Sequence, residues 1–227
     1  MDYVSHNKYV NASPFPHTII KDFFNEKDLR ACAQSIEKEK DTLKWKVQRR
    51  VTEHQVNKRW IEDITLMPAA VKKILWKLHS AEFLLFLKEL TGIEGIIDDP
   101  YNLGGGIHCT SKGGKLNIHK DFDYNKETSL FRRINVLVFL NEGWRKEWNG
   151  DLELWDKSLK SKEVSIAPTF NTMVIFNTDN QALHGCPVPL NCPPDRHRLS
   201  LATYYYTYSS EESSKGLLPY AEFYKTN

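Results

Sequence analysis

The stretch Ser111-Lys-Gly-Gly-Lys-Leu-Asn-Ile-His-Lys-Asp121 reads as a turn followed by a strand. Paired glycines flanked by polar residues are a hairpin-loop signal, so Ser111 to Gly114 is expected to join a strand over Gly106 to Thr110 to another over Lys115 to Lys120. Side chains two apart in a strand point to the same face. His119 and Asp121 therefore project side by side.

The same texture continues downstream. Short runs rich in Val, Ile, Phe, Tyr and Thr predict strands over Ile134 to Leu140, Leu152 to Trp155, Val164 to Ile166, Thr172 to Phe176, Ala182 to His184 and Arg198 to Tyr206. Turn residues such as Asn141-Glu-Gly143 and Asn149-Gly150 separate them. About eight short strands with regular turns indicate a sandwich or jelly-roll barrel.

The first part of the chain differs. Asn25 is placed to cap a helix carrying Leu29, Ala33 and Ile36. A second helical pattern runs from Pro68 to Leu90, with Val71, Ile74, Leu75, Leu78, Phe83, Leu84 and Leu87 at spacings of three and four and Gly92 as its stop. Ser13 to Ile20 is an extended run set by its prolines, and Trp45 to Leu66 is ambiguous. The expected organisation is one domain over 1–227. It comprises a mainly helical part at 1–96, a β core at 97–208 and a charged tail at 209–227, of which Pro219 to Tyr224 is expected to dock on the body.

The 227 residues carry 31 basic and 29 acidic side chains, a net charge of +2. Bulk charge this even argues against a nucleic-acid-binding face, since such proteins carry a basic stripe. Lys44 to Arg50 reads as a solvated surface. The hydrophobic fraction of 41% argues against disorder. No basic and apolar leader opens the chain, no run reaches about 18 apolar residues, and the four cysteines form no CxxC pair. The expectation is a soluble cytoplasmic protein with free thiols and no membrane partner.

His119 and Asp121 need a third ligand to hold a metal, and His184, 63 residues beyond Asp121 in another expected strand, is the candidate. Two imidazoles and one carboxylate on one face of an ion leave other positions open, as non-haem Fe(II) requires to take a co-substrate and dioxygen together. Arg198, 14 residues past His184, shares a strand face with Ser200. A guanidinium there can grip a carboxylate in a bidentate fork, with the hydroxyl as a further donor. Each piece alone has an ordinary reading: surface HxD pairs, turn histidines and strand arginines are all common. Their joint occurrence in one β region points to a site.

These stretches resemble the Fe(II)/2-oxoglutarate dioxygenase superfamily, in its prolyl 4-hydroxylase-like branch. The likeness rests on Leu103-Gly-Gly-Gly-Ile-His108, Gly114 to Phe122, Arg133 to Trp144, Gly150-Asp-Leu-Glu-Leu-Trp155, Pro168 to Phe176, His184-Gly-Cys-Pro187 and Arg198-Leu-Ser-Leu-Ala-Thr-Tyr204. It extends weakly to Pro14 to Phe23. The resemblance implies a double-stranded β-helix flanked by N-terminal helices. It implies Fe(II) on His119, Asp121 and His184, and 2-oxoglutarate anchored by Arg198 with Ser200. The implied reaction turns 2-oxoglutarate and O2 into succinate and CO2 while a substrate is hydroxylated, with ascorbate a further candidate cofactor. Some relatives place a tyrosine where this chain has Phe139; Asn135, four residues back on the same face, is the candidate replacement donor. His108 and Cys186 are candidates to support the site from behind, and Asp123, Tyr124 and Arg132 to touch substrate. Asp121 argues against a halogenase, in which that carboxylate is lost. The leading substrate is a prolyl residue of a protein or peptide. A free amino acid, a sugar or another small metabolite is the alternative, and a non-catalytic metal-binding jelly roll is the alternative from another class.

Overall fold

The computed structural model describes residues 4–47, 53–99, 101–178, 181–208 and 221–224. Its centre is one curled antiparallel sheet. The strands are β1 (His17–Lys21), β2 (Lys46–Val47), β3 (Gln55–Ile61), β4 (Ile97–Asp98), β5 (Gly106–Lys120), β6 (Tyr124–Asn125) and β7 (Leu130–Phe139). They continue with β8 (Leu152–Trp155), β9 (Lys162–Ile166), β10 (Thr172–Asn177), β11 (Leu183–Cys186), β12 (Arg198–Tyr208) and β13 (Glu222–Phe223). The main path runs β1-β10-β7-β12-β5-β11-β8-β9. This is the jelly-roll, double-stranded β-helix architecture.

Two-residue periodicity assigns the two faces. On β12, Leu199, Leu201 and Tyr205 join Val136 and Val138 of β7 and Met173 and Ile175 of β10 in one apolar cluster with the helices. The intervening residues face inward, where Phe139, Val174 and Phe176 pack with Leu152 and Leu154 of β8. Helix α1 (His6–Val10) precedes β1, and α2 (Glu26–Glu39), α3 (Ala69–Leu78) and α4 (Ala81–Thr91) supply Leu29, Ile36, Ile74, Leu75, Leu78 and Leu87 to the outer cluster. Covering that face with helices leaves the inner face for chemistry.

Two expectations are corrected. Pro68 to Leu90 is two helices, because Ser80 accepts a hydrogen bond from the Phe83 amide and starts a new one. Hydrophobic spacing alone carries across such a break. Gly92 ends α4 in the left-handed conformation, as expected. Second, Ser111 to Gly114 is not a hairpin. Residues 106–120 form one strand, and both halves pair with the same neighbour: Ile107 with Ile61, Thr110 with Lys58 and Leu116 with Gln55. A hairpin would fold the second half back on the first. The glycines instead allow close packing: a Cβ on Gly114 would lie 2.4 Å from Thr110 Cγ2. Asn25 caps α2 through the Asp28 amide, and all four cysteines are free and buried. Lys46 and Val47 of the basic surface stretch are exposed; its residues 48–50 lie outside the described set. Glu222–Phe223 docks on β5, as expected of the tail, while Pro219 and Tyr220 lie outside the described residues. No helix among the described residues is long and apolar enough to cross a membrane.

Candidate metal and co-substrate site

The first half of β5 pairs with β12 and its second half with β11, so this strand crosses from one side of the barrel to the other. His119 lies directly opposite His184 in the β5–β11 pairing. Gly185 permits that approach, since a Cβ there would stand 2.8 Å from the Asn117 carbonyl oxygen. Asp121 follows the last residue of β5. One potential ligand atom from each of His119, Asp121 and His184 lies within 4.8 Å of the others.

The ring orientations suit a cation. His119 Nδ1 is 2.9 Å from the Asn117 carbonyl oxygen and His184 Nδ1 is 2.8 Å from that of Ala182. A carbonyl can only accept, so each Nδ1 carries the proton and each Nε2 keeps its lone pair. Those Nε2 atoms sit 3.6 and 3.5 Å from the two Asp121 oxygens. Burial, reinforced by neighbouring His119, pushes His184 down to about 4, which keeps it neutral. Burial alone would raise the Asp121 carboxyl, but Arg132, His184 and His119 hold it well below the usual carboxylate range. Two imidazole Nε2 atoms beside an ionised carboxylate are the donor set that Fe(II) needs.

Arg132 is the main support behind the carboxylate. Its Nη2 lies 3.0 Å from Asp121 Oδ2, and Nε and Nη2 donate to Asn135 Oδ1 at 2.9 and 2.7 Å. The Asn135 amide donates in turn to Asp121 Oδ2 at 2.7 Å. The guanidinium also stands 3.5 Å above the Tyr204 ring centre. Asn135 is thus engaged at the iron end. It lies about 13 Å along β7 from Phe139, at the usual rise per strand residue. That leaves its expected part in gripping the far end of a co-substrate without geometric support.

Arg198, the first residue of β12, lies at that other end. Its Nε donates to the Gly150 carbonyl at 2.7 Å and its guanidinium stacks 4.9 Å from the Phe139 ring centre. The phenyl ring that replaces a tyrosine therefore carries the arginine rather than donating to a ligand. Arg198, Ser200, Asn135 and the three potential metal ligands line one cavity of about 230 Å³, as do His108 and Cys186. His108 is buried and directs Nε2 to the Gly104 carbonyl at 2.8 Å. Phe223 of β13 stacks on His119 at 5.2 Å, placing the C-terminal segment against the site. Sequence reading missed Lys58, which also lines this cavity.

Residues 105–206 match the family model of the 2OG-Fe(II) oxygenase superfamily. The matched stretch, a little under half of the chain, holds the three potential metal ligands and Arg198. Among solved structures, the chain is similar to a prolyl hydroxylase from Trichoplax adhaerens, solved with a hypoxia inducible factor oxygen degradation domain peptide. The TM-score is 0.64 at 17% identity, covering 88% of this chain and 86% of that one. A Pseudomonas putida prolyl-4-hydroxylase gives 0.64 at 17% identity, covering 89% and 96%. HygX from Streptomyces hygroscopicus, solved with nickel, 2-oxoglutarate and hygromycin B, gives 0.57 at 11% identity, covering 91% and 93%. No curated protein matches the chain by sequence. These likenesses establish a shared, prolyl 4-hydroxylase-like fold.

Proposed function

We propose that this oxygenase couples decarboxylation of 2-oxoglutarate to succinate and CO2 with hydroxylation of a second substrate, a prolyl residue of a protein or peptide in the first instance. The observation that carries this reading is the cavity itself: His119, Asp121 and His184 cluster at one end, and Arg198 with Ser200 lines the same space. His119, Asp121 and His184 would hold Fe(II), which when bound supplies the open positions and redox chemistry for activating dioxygen. Arg132 and Asn135 fix the Asp121 carboxylate. Arg198 offers its free N–H groups to the distal carboxylate of the keto acid, with the Ser200 hydroxyl beside it. Half-buried Leu137 and buried Leu152 line the cavity, with buried Phe139 in the same apolar cluster, and keep water from the reacting centre.

Prolyl hydroxylases among the similar structures support the prolyl assignment, and it rests on fold analogy. HygX, with an antibiotic bound, favours keeping a small-molecule substrate as the second reading. The test is succinate formation from 2-oxoglutarate with added Fe(II), with mass spectrometry of candidate peptides and metabolites for a gain of one oxygen. Wild type is expected to form succinate and His119→Ala to form none. Equal turnover by the two proteins would remove the proposed iron site.

A further inference from the structure

Lys58 reaches the cavity through a defect in its strand. The β3–β5 register shifts between Val56 and Lys58, and the intervening Asn57 adopts a left-handed φ of 49°. Asn57 is exposed and secured by its side-chain donor to the Lys112 carbonyl at 2.9 Å. Four residues of β5, Ser111 to Gly114, stand opposite the single Asn57, and this irregularity changes which β3 side chains face inward. Gln55 and Lys58, three apart, therefore both line the cavity, where a regular strand would have sent them to opposite faces. Lys58 pairs with Thr110, and Thr110 with Arg198, so these three side chains form a row across adjacent strands.

The charges there do not balance. Lys58, Lys115, Arg132 and Arg198 line the cavity, against Asp121 as its one carboxylate among the described residues. Arg132 already holds Asp121. Bound Fe(II) and the two carboxylates of 2-oxoglutarate would cancel each other, leaving the excess of positive charge in place. Among the described residues, Lys58 has no hydrogen-bond or ion-pair partner, and its side chain is only partly exposed. Burial, with Arg198 nearby, pushes its ammonium down to about 8. An apolar residue would fill this position at lower cost, so packing does not account for a lysine.

We propose that the molecule this enzyme oxidises carries a carboxylate into the cavity, and that Lys58 is its counter-ion. The proposal rests on the reading given under Proposed function. The other source of a carboxylate is the distal end of 2-oxoglutarate. Arg198, two strands away with a bidentate fork, suits that group better than a single ammonium does.

The test uses Mn(II)-loaded protein with saturating 2-oxoglutarate, titrated calorimetrically with two matched pairs. They are N-acetylproline against N-acetylprolinamide, and N-acetyl-Glu-Pro-amide against its Gln counterpart. The acidic member of at least one pair is expected to bind wild type at least about tenfold more tightly, an ordinary magnitude for a desolvated charge pair. Lys58→Met should erase that preference and Lys58→Arg restore most of it, with 2-oxoglutarate affinity unchanged within about twofold. Equal affinity within both pairs, including no binding by any member, overturns the proposal. So does a preference that survives in Lys58→Met. A tenfold loss of 2-oxoglutarate affinity in Lys58→Met assigns the lysine to the co-substrate and overturns it too. Failure of wild type to bind 2-oxoglutarate removes the proposed function, and this proposal with it; binding without preference removes this proposal alone.

Discussion

The two ends of the cavity are built on opposite electrostatic plans. At the iron end, Asp121 is answered by Arg132 and Asn135, and each histidine Nδ1 by a backbone carbonyl. At the basic end, Arg198 spends one donor on Gly150 and Lys58 has no bonded partner among the described residues. The first end is internally satisfied apart from the lone pairs aimed at a metal. The second is complementary to anions that arrive from outside. Preorganisation and unmet charge thus mark different tasks within one cavity.

The largest break in this comparison comes from the metal ligands. Asp121→Ala should abolish Fe(II)-dependent succinate formation, a loss of about a thousandfold or more as expected for an essential metal ligand, while the apo protein stays folded by circular dichroism. Next, Arg132→Met leaves a buried carboxylate without its cation. Breaking such a pair costs on the order of 3 kcal/mol, which urea unfolding of the metal-free protein would register. Arg198→Met should spare Fe(II) binding and raise the 2-oxoglutarate requirement roughly 10- to 100-fold, the range for losing a charge-assisted pair. If Fe(II) binding is lost instead, the two ends are not separable.

The smallest effect sharpens the contrast through pH. In the metal-free protein, His184 stays neutral down to about 4, below the ordinary 6.5 of an unfolded histidine. Its contribution to stability is therefore complete above pH 6.5 and lost as pH falls from there towards 4. Lys58 behaves oppositely. Its folded value of about 8 lies below the ordinary 10.5, so the unfolded chain binds more protons in between. Stability should rise as pH climbs from 8 to 10.5, by up to on the order of 2 kcal/mol after allowing for partial exposure. Lys58→Met should flatten that rise in urea titrations at successive pH values; an unchanged slope would show that the ammonium is not strained by its surroundings.

Much of the molecule was legible in the sequence because strand parity is a strong code. His119 and Asp121, and Arg198 and Ser200, are two apart, and each pair does face the same cavity. His184 was chosen from its place at the end of another expected strand, and the structure sets it opposite His119. What escaped detection followed from local exceptions to the code. Ser80 interrupts a hydrophobic pattern that continues past it, and Gly113-Gly114 imitates a turn while lying inside β5. Asn135 was read as a donor to a ligand because nothing local reveals that its amide donates to Asp121, 14 residues earlier. Lys58 gave no signal at all, since its inward facing follows from a register shift between β3 and β5 that its own strand does not announce.

That bulge has a consequence for how such an enzyme changes over generations. Whether Lys58 faces the cavity depends on the register between β3 and β5, which shifts where Ser111 to Gly114 stand opposite Asn57. A change in the length of the Ser111 to Gly114 stretch would shift that register and alter which β3 residue stands opposite Thr110, without replacing any side chain in the pocket. A rare in-frame deletion could therefore alter substrate choice in one step, and a position-by-position comparison of side chains would overlook the event.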